Sequence, residues 1–142
     1  MIDPRGPRFA AGVTSAVLAA VLVTGSGWLL AVQVGVFAAT AILGLRASPY
    51  GRLFATAIRP RIKPPDSLED ERPPRFAQAV GFAFGAVGLV GLLAGAPVLF
   101  YVAIGAAFAA AFLNAAFGFC LGCEIYLLAR RITTRSTEVI TS

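Results

Sequence analysis

Four long apolar stretches dominate the sequence, at residues 9–24, 28–45, 78–95 and 98–129, and the first three contain no charged residue. Each is close to, or longer than, the ~20 residues that a helix needs to cross ~30 Å of hydrocarbon. Only 13% of the 142 residues are charged, whereas soluble domains carry about 25%. Because so little polar surface cannot cover a water-soluble globule, we predict an all-α integral membrane bundle of four transmembrane helices, forming one domain over residues 1–142.

Two short uncharged turns, at residues 25–27 and 96–97, join these stretches in pairs, which predicts two helical hairpins. The last stretch, at ~32 residues, would make a straight helix of ~48 Å. We therefore expect it to tilt strongly, to bend near Gly118 or Gly122, or to continue past the bilayer. The third stretch has five glycines at helical spacing between residues 81 and 95, and such a small-residue face suits close helix packing or a homo-oligomer.

Residues 46–77 form the one long polar segment. Within it, residues 50–62 place apolar side chains on one helical face with arginines beside them, which is typical of a short helix lying in the headgroup plane, although a solvated linker fits equally well. Residues 67–71 form an acidic patch, either a docking strip for a partner or a solvated loop.

The positive charges indicate how the chain is threaded. All twelve Lys and Arg residues lie before the first stretch, between the second and third, or after the fourth. By the positive-inside rule, both termini and the loop at 46–77 are expected in the cytoplasm, and the protein in the inner membrane among its lipids. The net charge of +5 does not indicate nucleic-acid binding, because the cations flank apolar runs and form no basic stripe on a polar domain.

A short internal repeat opens each predicted hairpin. Residues 3–10 and 70–77 share Asp, Arg, Pro, Arg, Phe and Ala at matching offsets. We predict that Arg8 and Arg75 anchor at lipid phosphate and that Phe9 and Phe76 dip into the acyl boundary. The repeat fits a substrate path between two similar halves, but architecture alone also explains it.

Both cysteines of the chain lie in a C-x-x-C arrangement, at Cys120 and Cys123, and Glu124 follows directly. On a helix the two sulfurs share a face, with Glu124 on an adjoining part of it. They fit a dithiol, a disulfide formed after local adjustment, half a metal site, or simply two small apolar side chains that pack well. The absence of histidine excludes imidazole catalysis and most zinc and copper sites. We predict no metal site and cannot name a cofactor.

Their position in the fourth stretch suggests sulfurs near a helix C-terminus, in apolar surroundings and beside a carboxylate. All three features disfavour a thiolate, so we expect no strong autonomous oxidant. Glu124 would either pair with Arg130 or a loop arginine, or accept the proton of a thiol as a base. Disulfide exchange or sulfur relay driven by a partner protein remains an alternative.

Three segments resemble a known family: the start Asp3–Phe9, the run Pro73–Gly81 and, above all, Phe112–Tyr126. Across nearly the whole chain the sequence is similar to the bacterial membrane family catalogued as domain of unknown function 4395. The resemblance implies a multi-span bacterial membrane protein without an established activity. Members are encoded near thioredoxin-like proteins and sulfurtransferases, which by association implies a thiol or sulfur role for Cys120 and Cys123.

Four functions follow as hypotheses. The first is a thiol-redox or sulfur-handling membrane component, in which Cys120, Cys123 and Glu124 react with a thioredoxin-like or sulfurtransferase partner in the cytoplasm. The second is a small transporter or channel-like protein for a sulfur-containing or other solute, with Asn114 or Glu124 lining the path. The others are a quinone-linked thiol oxidoreductase, weakened by the lack of a second cysteine pair, and a scaffold without catalysis.

Overall fold

The computed structural model describes residues 5–63, 68, 70 and 72–141, and these residues contain helices and no strand. Three short helical turns, two of 3₁₀ type and one π turn, lie in the stretch from 45 to 61. The α-helices are α1 Arg5–Thr24, α2 Gly27–Leu43, α3 Pro49–Leu53, α4 Arg72–Leu93, α5 Pro97–Phe117 and α6 Leu121–Thr141.

Length and composition make α1, α4 and α5 able to cross a membrane. Helix α2 is also apolar but has 17 residues, slightly fewer than a straight crossing needs. The all-helical class is therefore confirmed, together with three apolar helices of spanning length. The fourth span, over residues 28–45, stays a prediction.

The last apolar stretch, which the sequence suggested as one element over 98–129, is two helices. Helix α5 ends at Phe117, Gly118 takes a left-handed conformation with φ of 69°, and α6 begins at Leu121. The N–H groups of Gly118 and Phe119 donate to the carbonyls of Asn114 and Leu113, at 2.9 and 3.3 Å. A glycine of this kind ends a helix because it has no Cβ and its turn satisfies the last carbonyls. The sequence predicted a strong tilt, a bend near Gly118 or Gly122, or an extension past the bilayer. The structure has a break at Gly118.

The four longest apolar segments pack crosswise. Helix α1 lies mainly against α5, and α4 lies against both α2 and α5. Their shared core consists of large apolar side chains from α1, α2 and α5, with Leu18, Val21, Leu30, Phe100 and Ile104 almost fully buried. The helix pairs α1–α2 and α4–α5 are thus interlocked and do not sit side by side as separate units. Their arrangement as two hairpins stays a prediction.

The glycine face of α4 makes this interlocking possible. Gly85, Gly88 and Gly91 are buried, the first against α2 and the other two against α5. A Cβ on Gly88 would overlap the buried side chain of Ile104, and one on Gly91 would lie 2.9 Å from the backbone nitrogen of Phe100. The small-residue spacing in the sequence therefore does mark a close helix contact within the chain.

The segment after α2 forms a chain of short helical turns. Helix α3 continues into a π turn over Phe54–Ile58 and a 3₁₀ turn over Arg59–Arg61. Phe54 is buried against the start of α1, whereas Leu53 is half exposed, so the apolar face expected over 50–62 is divided between the protein and the surface. Its place in a headgroup layer stays a prediction.

The acidic patch expected at 67–71 lies largely outside the described residues, which include only Leu68 and Asp70 of it. The carboxylate of Asp70 accepts hydrogen bonds from the Arg72 guanidinium, at 2.7 Å in the ion pair. These hydrogen bonds, with the positive charge, lower the pKa of Asp70 to about 2. The pair is exposed and contributes little to stability.

The glycine contacts give a prediction for stability. We expect Gly88→Ala to lower the free energy of unfolding by about 1–3 kcal/mol, because Ile104 is enclosed and cannot give way to the added methyl group. The matched change Gly105→Ala on α5 has open space around the new Cβ, so better helix propensity should leave stability unchanged or raise it by up to about 1 kcal/mol. Unfolding of both variants in detergent, followed by circular dichroism, gives the comparison, and equal stabilities would contradict the packing.

Candidate functional site

The cysteine pair lies at the start of a helix. Cys120 immediately precedes α6, and Cys123 is in its first turn. The expectation that the pair lies near a helix C-terminus is therefore wrong. The reason is the break at Gly118, which converts the end of one long apolar stretch into the beginning of a new helix.

Cys120 and Cys123 form a disulfide, with their Cα atoms 5.2 Å apart. The backbone N–H of Cys123 donates to Sγ of Cys120 at 3.1 Å, and the N–H of Glu124 donates to the Cys120 carbonyl at 3.0 Å. Cys120 thus acts as a residue that caps the helix N-terminus, where N–H groups have no partner within the helix. Cys120 itself lies outside α6, which begins at Leu121.

Two positive features lie close to the pair, in addition to the neighbouring carboxylate of Glu124. The N-terminus of α6 carries the positive end of the helix dipole. The guanidinium carbon of Arg8 lies 3.7 Å from the point that a Cβ on Gly118 would occupy, two residues before Cys120. Both sulfurs belong to half-buried residues. Helix N-termini and nearby cations are the features that favour a thiolate in reactive cysteines.

Glu124 is exposed in the first turn of α6, where a carboxylate interacts favourably with the helix dipole. Within the described part of the chain no ion pair joins it to Arg130, six residues on along the same helix, where the side chain points in a different direction. The predicted pairing with Arg130 is therefore not found, and the alternative pairing with a loop arginine stays a prediction. A role for Glu124 as a proton acceptor stays a prediction.

Asn114 lies in the last turn of α5 and is half buried. Its backbone carbonyl accepts the N–H of Gly118, so its main chain forms part of the turn that leads to the cysteines. The structure brings Asn114 to the same end of the bundle as Cys120. A position along a substrate path stays a prediction.

The repeat arginines cap helices crosswise. Arg8 at the start of α1 donates to the carbonyl of Ala115 on α5 at 3.2 Å. Arg75 at the start of α4 donates to the carbonyls of Ala41 and Ile42 on α2, at 2.9 and 2.8 Å. Cations at these ends satisfy carbonyls that have no partner within the helix and complement its dipole. The lipid-anchoring role of Arg8 and Arg75 stays a prediction. The structure shows a different role for both arginines, which is to cap the ends of neighbouring helices.

The repeat phenylalanines also have equivalent partners. Phe9 contacts Phe54, with ring centroids 5.9 Å apart, and Phe76 contacts Tyr126 at 5.6 Å. Both partners lie in the segment that follows the capped helix. The repeat therefore includes three parts in each half: a first helix with the arginine, a second helix, and a further helical segment that packs back on the start of the first.

This third part aligns the cysteines with residues of the first half. Ser48 precedes α3, and its hydroxyl accepts the N–H of Gly51 at 3.4 Å, as Sγ of Cys120 accepts that of Cys123. The spacing Ser48-x-x-Gly51-x-x-Phe54 equals that of Cys120-x-x-Cys123-x-x-Tyr126. The two halves share a capped turn, and only the second carries thiols. Sequence reasoning missed this correspondence, although the equal spacing was readable.

A buried polar pair was also missed. Gln33 on α2 is fully buried, and the phenol of Tyr50 donates to its side-chain oxygen at 2.6 Å. Burial raises the pKa of Tyr50, which keeps the phenol protonated as a donor. The signal in the sequence was a single long polar residue inside the second apolar stretch.

Among the described residues, no group of three or more His, Cys, Asp or Glu side chains could hold a metal ion. Among the described residues, the chemical groups near the start of α6 include the Cys120–Cys123 disulfide, the carboxylate of Glu124 and the guanidinium of Arg8.

The described residues thus form an all-helical protein with three helices that are long and apolar enough to cross a membrane. A C-x-x-C disulfide lies at the start of a further helix. The chain belongs to the family described as domain of unknown function (DUF4395), whose model matches residues 2–131. No curated protein and no solved structure matches the chain significantly.

The Arg8 contact gives a prediction with an internal control. We expect Arg8→Gln to slow alkylation of reduced Cys120 by iodoacetamide at neutral pH by about three- to tenfold, because loss of the nearby positive charge disfavours the thiolate. Arg75→Gln removes the equivalent cap in the half without thiols and should leave the rate unchanged. Arg8→Lys retains the charge and should restore most of the rate. Equal rates in the two Gln variants would contradict an electrostatic role of Arg8.

Proposed function

We propose that the protein is a multi-pass membrane protein that exchanges disulfides with a cytoplasmic thiol protein through Cys120 and Cys123. The observation that supports this most strongly is the position of the pair at the N-terminus of α6, with the Cys123 N–H directed at Sγ of Cys120. A hydrogen bond and a helix dipole aimed at one sulfur favour its thiolate over that of its neighbour.

The proposed reaction has two steps. In the reduced protein the Cys120 thiolate attacks a disulfide of the partner, forming a mixed disulfide and releasing one partner thiolate. Cys123 then loses its proton, to solvent or to exposed Glu124, and its sulfur attacks Sγ of Cys120, releasing the second partner thiolate. Two electrons pass from the cysteine pair to the partner, and the reverse sequence reduces the pair again. A thioredoxin-like protein has the dithiol that this chemistry needs.

The membrane arrangement is part of the same proposal. Helices α1, α2, α4 and α5 each cross the inner membrane, and both chain termini and the cysteine pair face the cytoplasm. Two contacts support the proposal that the starts of α1 and α4 face the same side of the membrane as the ends of α5 and α2. Arg8 connects the start of α1 to the end of α5, and Arg75 connects the start of α4 to the end of α2. The cationic residues gather at that end, as the positive-inside rule requires.

Cysteine variants test the reaction. With oxidised glutathione as the partner disulfide, reduced Cys123→Ser should accumulate a mixed disulfide on Cys120, because the resolving thiol is absent. Cys120→Ser should form its mixed disulfide at least about tenfold more slowly, since Cys123 lacks the capping position. Mass spectrometry of the alkylated protein over time measures both. Equal rates, or no mixed disulfide in either variant, would refute thiol exchange led by Cys120.

Reporter fusions test the arrangement. A fluorescent protein fused to the C-terminus should fluoresce, because it folds in the cytoplasm. Alkaline phosphatase inserted in the turn between α1 and α2, at Gly25, should be active, because the enzyme acquires its disulfides only outside the cytoplasm. The opposite pair of results would place the cysteines on the outer side and exclude a cytoplasmic partner.

A further inference from the structure

Helix α6 carries an apolar surface that the bundle does not cover. Leu121, Ile125, Leu128 and Ile132 are 37%, 51%, 56% and 57% exposed. At 100° per residue these four side chains fall within about 60° around the helix. They therefore form one continuous aliphatic stripe, which we call the α6 stripe.

The bundle contacts a different side of the same helix. A Cβ on Gly122 would lie 2.6 Å from the Cα of Ala77 on α4, and the ring of Tyr126 packs on Phe76. Gly122 and Tyr126 are about 100–140° around the helix from Leu121. Helix α6 thus lies against the start of α4 with its stripe turned roughly a third of a circle away from the bundle.

Charged side chains of α6 lie beside the stripe and opposite to it. Arg130, which is exposed, is about 180° around the helix from Leu121, and exposed Arg131 flanks the stripe at about 80°, near Glu124 on the same side. Cationic side chains that flank an aliphatic face are typical of helices lying in the surface of an anionic bilayer. The two arginines thus complement lipid phosphate, whereas the carboxylate of Glu124 does not.

We propose that the α6 stripe lies in the lipid surface of the membrane, with anionic headgroups around its arginines. This inference rests on the membrane arrangement proposed above and is independent of the thiol chemistry. The exposed aromatic rings of Phe117 and Phe119 join the stripe to the apolar surface of α5, so one apolar band runs from a spanning helix onto α6.

A second copy of the chain fits the stripe less well. Four half-exposed aliphatic side chains offer on the order of 400 Å², whereas a stable protein interface buries about 800 Å² on each partner. Lipid does not require such a large closed area.

The arrangement has a consequence for the disulfide. Cys123 is about 160° around α6 from Leu121. When the stripe rests on the acyl chains, this cysteine faces the aqueous side. Burial of the stripe would therefore hold the C-x-x-C pair at the membrane surface while leaving it open to a water-soluble partner.

Spin labels on single cysteines test the proposal. In the Cys120→Ser/Cys123→Ser background, Ile125→Cys, Leu128→Cys or Ile132→Cys is labelled with a nitroxide and reconstituted into vesicles of phosphatidylethanolamine and phosphatidylglycerol. We expect collision with oxygen to exceed collision with a water-soluble nickel chelate several-fold at these positions, and the reverse at Arg130→Cys. In vesicles of phosphatidylcholine alone, the labelled stripe positions should lie less deep in the membrane and show a smaller excess of oxygen collision, because the arginines lose their anionic partners.

The other outcomes overturn the proposal in distinguishable ways. Nickel collision above oxygen collision along the stripe means that water covers it, and low collision with both reagents means that protein covers it. Val102→Cys, at an exposed position within α5, serves as the reference for lipid. If Val102 contacts lipid and the stripe does not, this inference alone fails; if Val102 contacts water, the proposed membrane arrangement fails as well.

Discussion

The capping of helix ends by arginine is the interaction on which the arrangement of this protein depends. A helix leaves its last carbonyls without partners inside the helix. Arg75 supplies donors to the end of α2 and Arg8 to the end of α5. Because Arg8 belongs to α1 and Arg75 to α4, the same contacts that satisfy the carbonyls also connect the first and second halves of the chain.

The crossed contacts give the repeat a physical meaning. Each half contains an arginine that caps a helix of the other half. Each half also contains a phenylalanine that packs on the segment following its own two helices: Phe9 packs on Phe54, and Phe76 packs on Tyr126. The halves differ where Ser48 and Gly51 stand in one and Cys120 and Cys123 in the other. A hydroxyl and a sulfur both accept the N–H that opens a helix, so the same capped turn holds a serine in one half and a cysteine in the other.

Much of the helical layout was readable from the sequence, because long uncharged stretches and a glycine face leave few alternatives to packed apolar helices. The crossed packing was not readable, since the four stretches have similar compositions and pattern alone does not select their neighbours. The break at Gly118 was one of several options that the excess length allowed, and glycine occurs elsewhere within helices of this chain, as at Gly88 and Gly105. Gly118 differs from those glycines in its left-handed conformation, and the turn lies where Arg8 contacts the end of α5.

That single turn changes the chemistry expected of the cysteines. At the end of a long helix, the partial negative charge of the carbonyls would oppose a thiolate; at the start of a new one, the N–H groups and the dipole favour it. The same two residues, in the same apolar stretch, thus acquire opposite electrostatic surroundings through a change of backbone direction at one glycine. A disulfide at such a site gains a stabilised leaving sulfur, and the capping arginine that shapes the turn adds its charge to the same effect.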